Sequence, residues 1–373
     1  MRYGMILYLV GTLALLIAAD IGSGVAALTQ IVPDPNDNFS EVEETVLLEA
    51  SVFTSVRELW DAGSYALSIF IAATSVSWPY VKLLISFYAW MTTITGPNRE
   101  RLLVVLDVLG KWCFVDVVVF IEIMVIFRAS IPLGGPTLEV YVVPKWGFFG
   151  FVAASMLDLI ATHVMIHQHR KIVYPETPAD DRTGLKNVGR LTSKRVITMT
   201  ALLTTGIAMY LTGFIIHIFR VKNSRNSVAL EPIDYSLHEV GQTLRDAGRE
   251  TDQGAVIWLQ ILWFGLGMVG PLLSAIFQGA LLWCPLNQTA LRRVFTCAEV
   301  SNAWNSAEVF FLSTIFAVLE VPTFGSGLID SGCANCYVVD SQLLAELAVL
   351  GIGCLFTLVA SGMILRTGHS ALY

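Results

Sequence analysis

Charge is what this sequence has least of. Of its 373 residues only 14% are charged and 55% are hydrophobic, and the mean hydropathy is +0.65. Soluble domains carry about a quarter charged residues, so the composition excludes an ordinary soluble globule. The net charge of −7 does not suggest nucleic acid as a partner. The familiar catalytic motifs are missing as well. There is no phosphate-binding glycine loop, no H-E-x-x-H and no nucleophile elbow. Nothing argues for an enzyme or a cofactor. Six cysteines are present. Cys113, Cys284, Cys297 and Cys354 lie in or beside apolar runs and read as small packing residues. Cys333 and Cys336 form a lone C-x-x-C with no second pair to complete the usual zinc site. No metal is expected.

What is there is a set of long apolar runs. A run beyond roughly 18 residues marks a membrane span. Eight candidates are Met5–Ala26, Tyr65–Trp90, Leu102–Phe127, Trp146–His167, Val196–Phe219, Ala255–Trp283, Cys297–Val318 and Leu343–Leu365. The expected fold is all-α and transmembrane. The first run, with Arg2 before it and Ala26-Ala27 after it, resembles a signal peptide but is read as a retained span.

Orientation follows from the basic residues. Arg170, Lys171, Arg182, Lys186, Arg190, Lys194 and Arg195 crowd one loop, residues 168–195. Arg99 with Arg101, and Arg292 with Arg293, mark two hairpin tips on the same side. By the positive-inside rule that side is cytoplasmic, and both termini share it. The acidic loop Thr29–Tyr65 and the Cys333/Cys336 loop fall on the other side, where a disulfide is chemically permitted. Asn38-Phe39-Ser40 is a glycosylation sequon there.

A shift of 192 positions superposes two stretches of the chain. Pro79 falls on Pro271, Arg101 on Arg293, Asp107 on Glu299, Trp112 on Trp304 and Asp116 on Glu308. A further four residues bring Tyr141-Val142-Val143 onto Tyr337-Val338-Val339. The chain therefore reads as two tandem four-span modules, 1–195 and 196–373. Four is even, so the repeat is parallel, about an axis near the membrane normal.

Charges inside apolar spans need a reason. Lys82 and Asp116 lie equally far from Arg99 at the hairpin tip. Two helices rising at about 1.5 Å per residue would bring them to one depth, roughly 20 Å in. Lys82 is expected to face Asp116, with Pro79 loosening its helix and Trp112 on the same face as the acid. The pair is either a device that fixes helix register or part of a polar pocket. In the second module Ser274 replaces the lysine, and Glu308 has no matched cation. Glu308 is either protonated or reaches Lys82 across the modules. Asp107 and Lys111 read as an interfacial pair one turn apart, and His163, His167 and His169 as interfacial groups.

Ser55-Val56-Arg57-Glu58-Leu59-Trp60, Pro79 with Lys82, and Trp112-Cys113-Phe114-Val115-Asp116-Val117 resemble the paraquat-inducible protein A family. That family carries Pro-x-x-Lys on one span and Trp-x-x-x-Asp-Val-Phe on the next. Here valine follows Asp116-Val117, and Glu308-Val309-Phe310 swaps the acid. The cysteine-rich zinc ribbons of bacterial members are missing, which suggests a eukaryotic-type member. The resemblance implies lipid handling, with membrane lipid as ligand and a separate lipid-transfer protein as partner. Two other classes stay open. One is a proton- or ion-coupled transporter of small molecules using the same acids. The other is a non-transporting scaffold whose acidic outer loops bind partners.

Overall fold

The computed structural model describes residues 2–32, 44–61, 63–92, 96–126, 129–132, 137–174, 184–185, 191–225, 228–229, 231–247, 253–329 and 337–373. Asn38, Cys333 and Cys336 lie outside these residues, and so do residues 175–183 and 186–190 of the basic loop.

In the first half, α1 (Arg2–Ile21) runs into β1 (Val25–Val32) and β2 (Glu44–Ala50). A short amphipathic helix, α2 (Val52–Asp61), leads to α3 (Tyr65–Ile71) and α4 (Trp78–Met91). Next come α5 (Gly96–Gly110), α6 (Val115–Ile126), β3 (Ala129–Pro132), β4 (Thr137–Pro144) and α7 (Trp146–Val173). The second half follows the same order. It has α8 (Ser193–Ile215), β5 (Phe219–Arg225), β6 (Val228–Ala229), β7 (Ile233–Tyr235) and the amphipathic α9 (Leu237–Ala247). It then has α10 (Gln253–Phe264), α11 (Gly270–Trp283), α12 (Gln288–Trp304), α13 (Ala307–Ile329), β8 (Tyr337–Leu343) and α14 (Leu347–Leu372).

Among the described residues, six helical stretches are long and apolar enough to cross a membrane: Tyr3–Ile21, Tyr65–Met91, Trp146–Val173, Ser193–Ile215, Gly254–Trp283 and Leu347–Leu372. The other two expected spans are each divided. A 3-10 turn, Lys111–Phe114, separates α5 from α6. Asn305 and Ser306 separate α12 from α13. Backbone groups freed inside a membrane must find partners in the protein, and here Asn305 caps α13 by accepting from Ala307 N at 3.2 Å.

Both marked prolines follow a π turn. Ala72–Ser77 precedes Trp78-Pro79, and Gly265–Val269 precedes Gly270-Pro271. Proline offers no N–H to the preceding turn and its ring crowds the carbonyl four residues back. A local widening to the π form accommodates it, and both prolines then sit in the first turn of an α-helix.

Two four-stranded antiparallel sheets correct the all-α expectation. One has the order β2-β1-β4-β3; in the other, β5 pairs with β6, β7 and β8. Tyr141 pairs with Leu28 and Tyr337 with Arg225, so each Tyr-Val-Val run lies on the strand that follows the first helix of its half. Neither run reads as a strand from the sequence, because the partner of each lies far along the chain. The Arg220 guanidinium, bonded to Asp234 at 2.8 Å, holds that carboxyl below the usual carboxylate range. This pair supports β5–β7 pairing above pH ~4, and the support fades as pH falls through the lowered value.

Helices α8 and α14 pack backbone to backbone. A Cβ on Gly353 would lie 2.4 Å from Tyr210 N, and one on Gly213 would lie 2.7 Å from Leu350 N. Small residues allow such close approach, which drives helix association in lipid. Gly353→Leu is therefore expected to destabilise the fold by about 3 kcal/mol, as overpacking does. Thermal unfolding in detergent checks this, with exposed Gly362→Ala as a silent control.

Candidate functional site: a cleft between the two halves

On one face, α6 and α13 close against each other. Thr314 Oγ1 donates to Glu122 Oε1 at 2.6 Å, and Ser313 Oγ to the Val115 carbonyl at 3.3 Å. Phe70 stacks on Phe316 at 4.3 Å between ring centroids. Thr314 is the residue that the 192-position shift places on Glu122. Toward the hairpin tips the halves part, leaving a cleft of about 1680 Å³ lined by α5, α7, α12 and α14.

The cleft has three zones. Its walls are apolar, with Val104, Val105, Val108 and Leu109 facing Leu358 and Val359. Val105 and Leu358 are each 52% exposed. The floor is Lys111, Asn305 and Glu308. Lys111 is 3% exposed, pairs with Glu308 Oε1 and donates to the Asn305 carbonyl at 3.1 Å. That carbonyl is available because the helix is interrupted there. Beside the floor, His163 Nδ1 lies 3.0 Å from Asp107 Oδ1.

The mouth is basic. Arg170 Nε donates to Glu100 Oε1 at 2.7 Å, and its Nη2 to Glu299 Oε1 at 2.9 Å. Its Nη1 donates to the other oxygen of Glu299, so the pair is bidentate. The guanidinium lies over the rings of Tyr373 and Phe295, at 4.6 and 5.6 Å. Arg101, Lys171, Arg292, Arg293 and Arg366 line the same region. In all, the cleft is lined by seven Lys or Arg side chains against four Asp or Glu. That excess favours a negatively charged guest.

The expected contact between Lys82 and Asp116 does not form. Lys82 is fully buried and its Nζ lies 2.7 Å from Asp158 Oδ2 of α7. Asp116 is half-buried in the first turn of α6. The physical reason is the position of the turn. α4 ends at Met91 and α5 already begins at Gly96, so Arg99 is inside a helix. Trp78 Nε1 donates to the Leu109 carbonyl at 2.9 Å, which fixes the true pairing of depths. Measured from the helix ends, Asp116 lies about 16 Å beyond Lys82 along the hairpin. Trp112 lies in the 3-10 turn that precedes α6.

Glu308 does reach across the halves, but to Lys111 and not to Lys82. Lys111 and Asp107, read from the sequence as one interfacial pair, have separate partners. Ser274 is buried and accepts from Gln278 Nε2 at 2.8 Å. Trp304 ends α12, and its ring lies 6.4 Å from that of Phe114. Arg170 was hidden because α7 continues to Val173, past the predicted start of the basic loop. One signal pointed toward Lys111. An acid without a cation in its own half requires one from the other, and the 192-position shift puts Lys111 level with Ala303, near Glu308.

Lys82 and Asp158 are a buried pair inside the first half. A Cβ on Gly110 would lie 2.6 Å from Lys82 Nζ, so the lysine needs a glycine beside it. Removing one partner of a buried pair costs about 3–5 kcal/mol, whereas replacing both by apolar residues is close to neutral. Lys82→Met is expected to lower the melting temperature sharply. The double variant Lys82→Met/Asp158→Leu should regain most of the loss, and equal melting of the two variants would contradict the pairing.

No curated protein and no solved structure matches this chain. A family model described as paraquat-inducible protein A matches residues 9–169. This stretch covers α1 to nearly the end of α7 and includes Pro79, Lys82, Trp112 and Asp116. This stretch is thus similar to the paraquat-inducible protein A family, and with six helices apolar and long enough to span, the chain is an integral multi-pass membrane protein.

Proposed function

We propose that the cleft binds a membrane lipid or similar amphiphile, and that the chain passes it between the bilayer and a separate partner protein. The proposal treats the chain as two parallel four-span modules, 1–195 and 196–373, whose third spans are paired half-helices. Both termini and the mouth of the cleft face the cytoplasm, where the basic residues gather. The sheets stand at the opposite face and are where a partner would meet the protein. No catalytic step is needed.

The single observation that carries this reading is the ordering of the cleft. Apolar walls lie between a basic mouth and a charged floor. A lipid tail fits the first, and an anionic headgroup the second. The lateral exposure of Val105 and Leu358 supports entry from the bilayer. Val105→Trp should fill the cleft, and the purified protein should then lose most of its bound lipid, measured by mass spectrometry of the extract. Leu84→Trp, outside the cleft on a 62% exposed position, should lose none. Equal lipid content in both variants would refute the site.

The floor favours a second reading. An ion pair at membrane depth is where a proton- or ion-coupled carrier of small molecules would couple. That reading expects pH-dependent flux in proteoliposomes which Glu308→Gln abolishes.

A further inference from the structure

Among the described residues, two Lys or Arg ion pairs join the modules across the cleft, both with the cation from the first module, and His369 of the second module lies 3.7 Å from Glu100 of the first. At the floor Lys111 holds Glu308, and at the mouth Arg170 holds Glu299. The two differ in what stands around them. Lys111 has no other acid within bonding distance among the described contacts, and it is anchored to a backbone carbonyl. Arg170 binds two carboxylates at once, one from each module. Its own module's Glu100 takes Nε, and Glu299 takes both terminal nitrogens. That second arrangement is the bidentate fork a phosphate also fits.

Three features make Glu299 the exchangeable partner. The Glu299 side chain is 17% exposed, whereas those of Arg170 and Glu100 are 6% and 3% exposed. Glu100 is secured further by Tyr174 Oη, which donates to its second oxygen at 3.2 Å. The guanidinium would keep its plane without Glu299, because Phe295 and Tyr373 pack against it. The surrounding cations would attract an incoming anion to this point.

We infer that Arg170 is an anion-exchange site: a phosphate-type anion entering the mouth replaces Glu299 on the Arg170 fork and releases the ion pair that ties the modules together there. The inference rests on the amphiphile reading for its source of the anion, namely a lipid headgroup. A free phosphate shares the chemistry. Displaced, Glu299 carries its charge toward the open mouth, and the Lys111–Glu308 pair remains as the fixed end of the junction.

The test uses the full chain purified in a neutral detergent. The probes are dodecyl phosphate, dodecyl maltoside and inorganic phosphate, with binding followed calorimetrically. Glu299→Gln removes the internal competitor, so dodecyl phosphate should bind about tenfold tighter than to the wild type. Asp107→Asn removes an equal charge from the same cleft without touching Arg170, and should tighten binding far less. Arg170→Gln should lose most of the binding. A second readout is the distance between spin labels placed outside the cleft, at the exposed residues 164 and 276, which should lengthen when dodecyl phosphate is added to the otherwise unaltered protein. Equal tightening in Glu299→Gln and Asp107→Asn, with no change in the label distance, would overturn the exchange while leaving an amphiphile site intact. Failure of both dodecyl probes to bind, with inorganic phosphate still lengthening the distance, would support the exchange and refute the lipid source. If no probe changes the distance and Arg170→Gln binds dodecyl phosphate as the wild type does, Arg170 is not the site.

Discussion

The structure turns on the ion pair between Lys111 and Glu308. A buried charge loses several kcal/mol of hydration. Attraction between two charges 4 Å apart returns about 4 kcal/mol at an effective dielectric of 20. That is too little to offset both ions unless hydrogen bonds take up the remaining donors. The Asn305 carbonyl does so for Lys111, and it is free only because the helix breaks at Asn305-Ser306. The interrupted spans and the buried pair therefore require each other. A continuous helix in place of α12 and α13 would leave no carbonyl to receive the lysine.

The same constraint shapes the cleft. On the sheet side, α6 and α13 touch through small polar groups and rings. On the other side α5 and α12 part, and charged residues hold the gap at its two ends. A gap of this kind has apolar walls without a buried unpaired charge. The pair expected from the sequence, Lys82 with Asp116, does not line this cleft. Lys82 and Asp158 stabilise one half internally, while the groups that join the halves are the less conspicuous Lys111 and Arg170.

Much of this was legible in the residues. The membrane class, the six apolar helices, the loosening at Pro79 and the recurrence of acids at Asp107, Glu299, Asp116 and Glu308 follow from local pattern. The sheets were not legible, because β1 pairs with β4 across more than a hundred residues. The Lys82–Asp116 contact failed for a definite reason. Gly96, Pro97 and Asn98 look like a turn, yet they open α5, since proline and glycine are at ease in a first helical turn. The resulting error in depth was enough to exchange one partner for another.

The sequence by itself determined that the chain enters a membrane and that the helix at Pro79 must loosen, since these depend on the length of the apolar runs and on the missing proline N–H. The tertiary structure decided which charge meets which. That choice depends on the rotation of each helix about its axis, on a 3-10 turn at Lys111–Phe114 and on the extra turns that carry α7 to Arg170. Helix rotation and depth are settled by packing between elements far apart in the chain, so only the assembled bundle could bring Lys111 to Glu308 and Arg170 to Glu299.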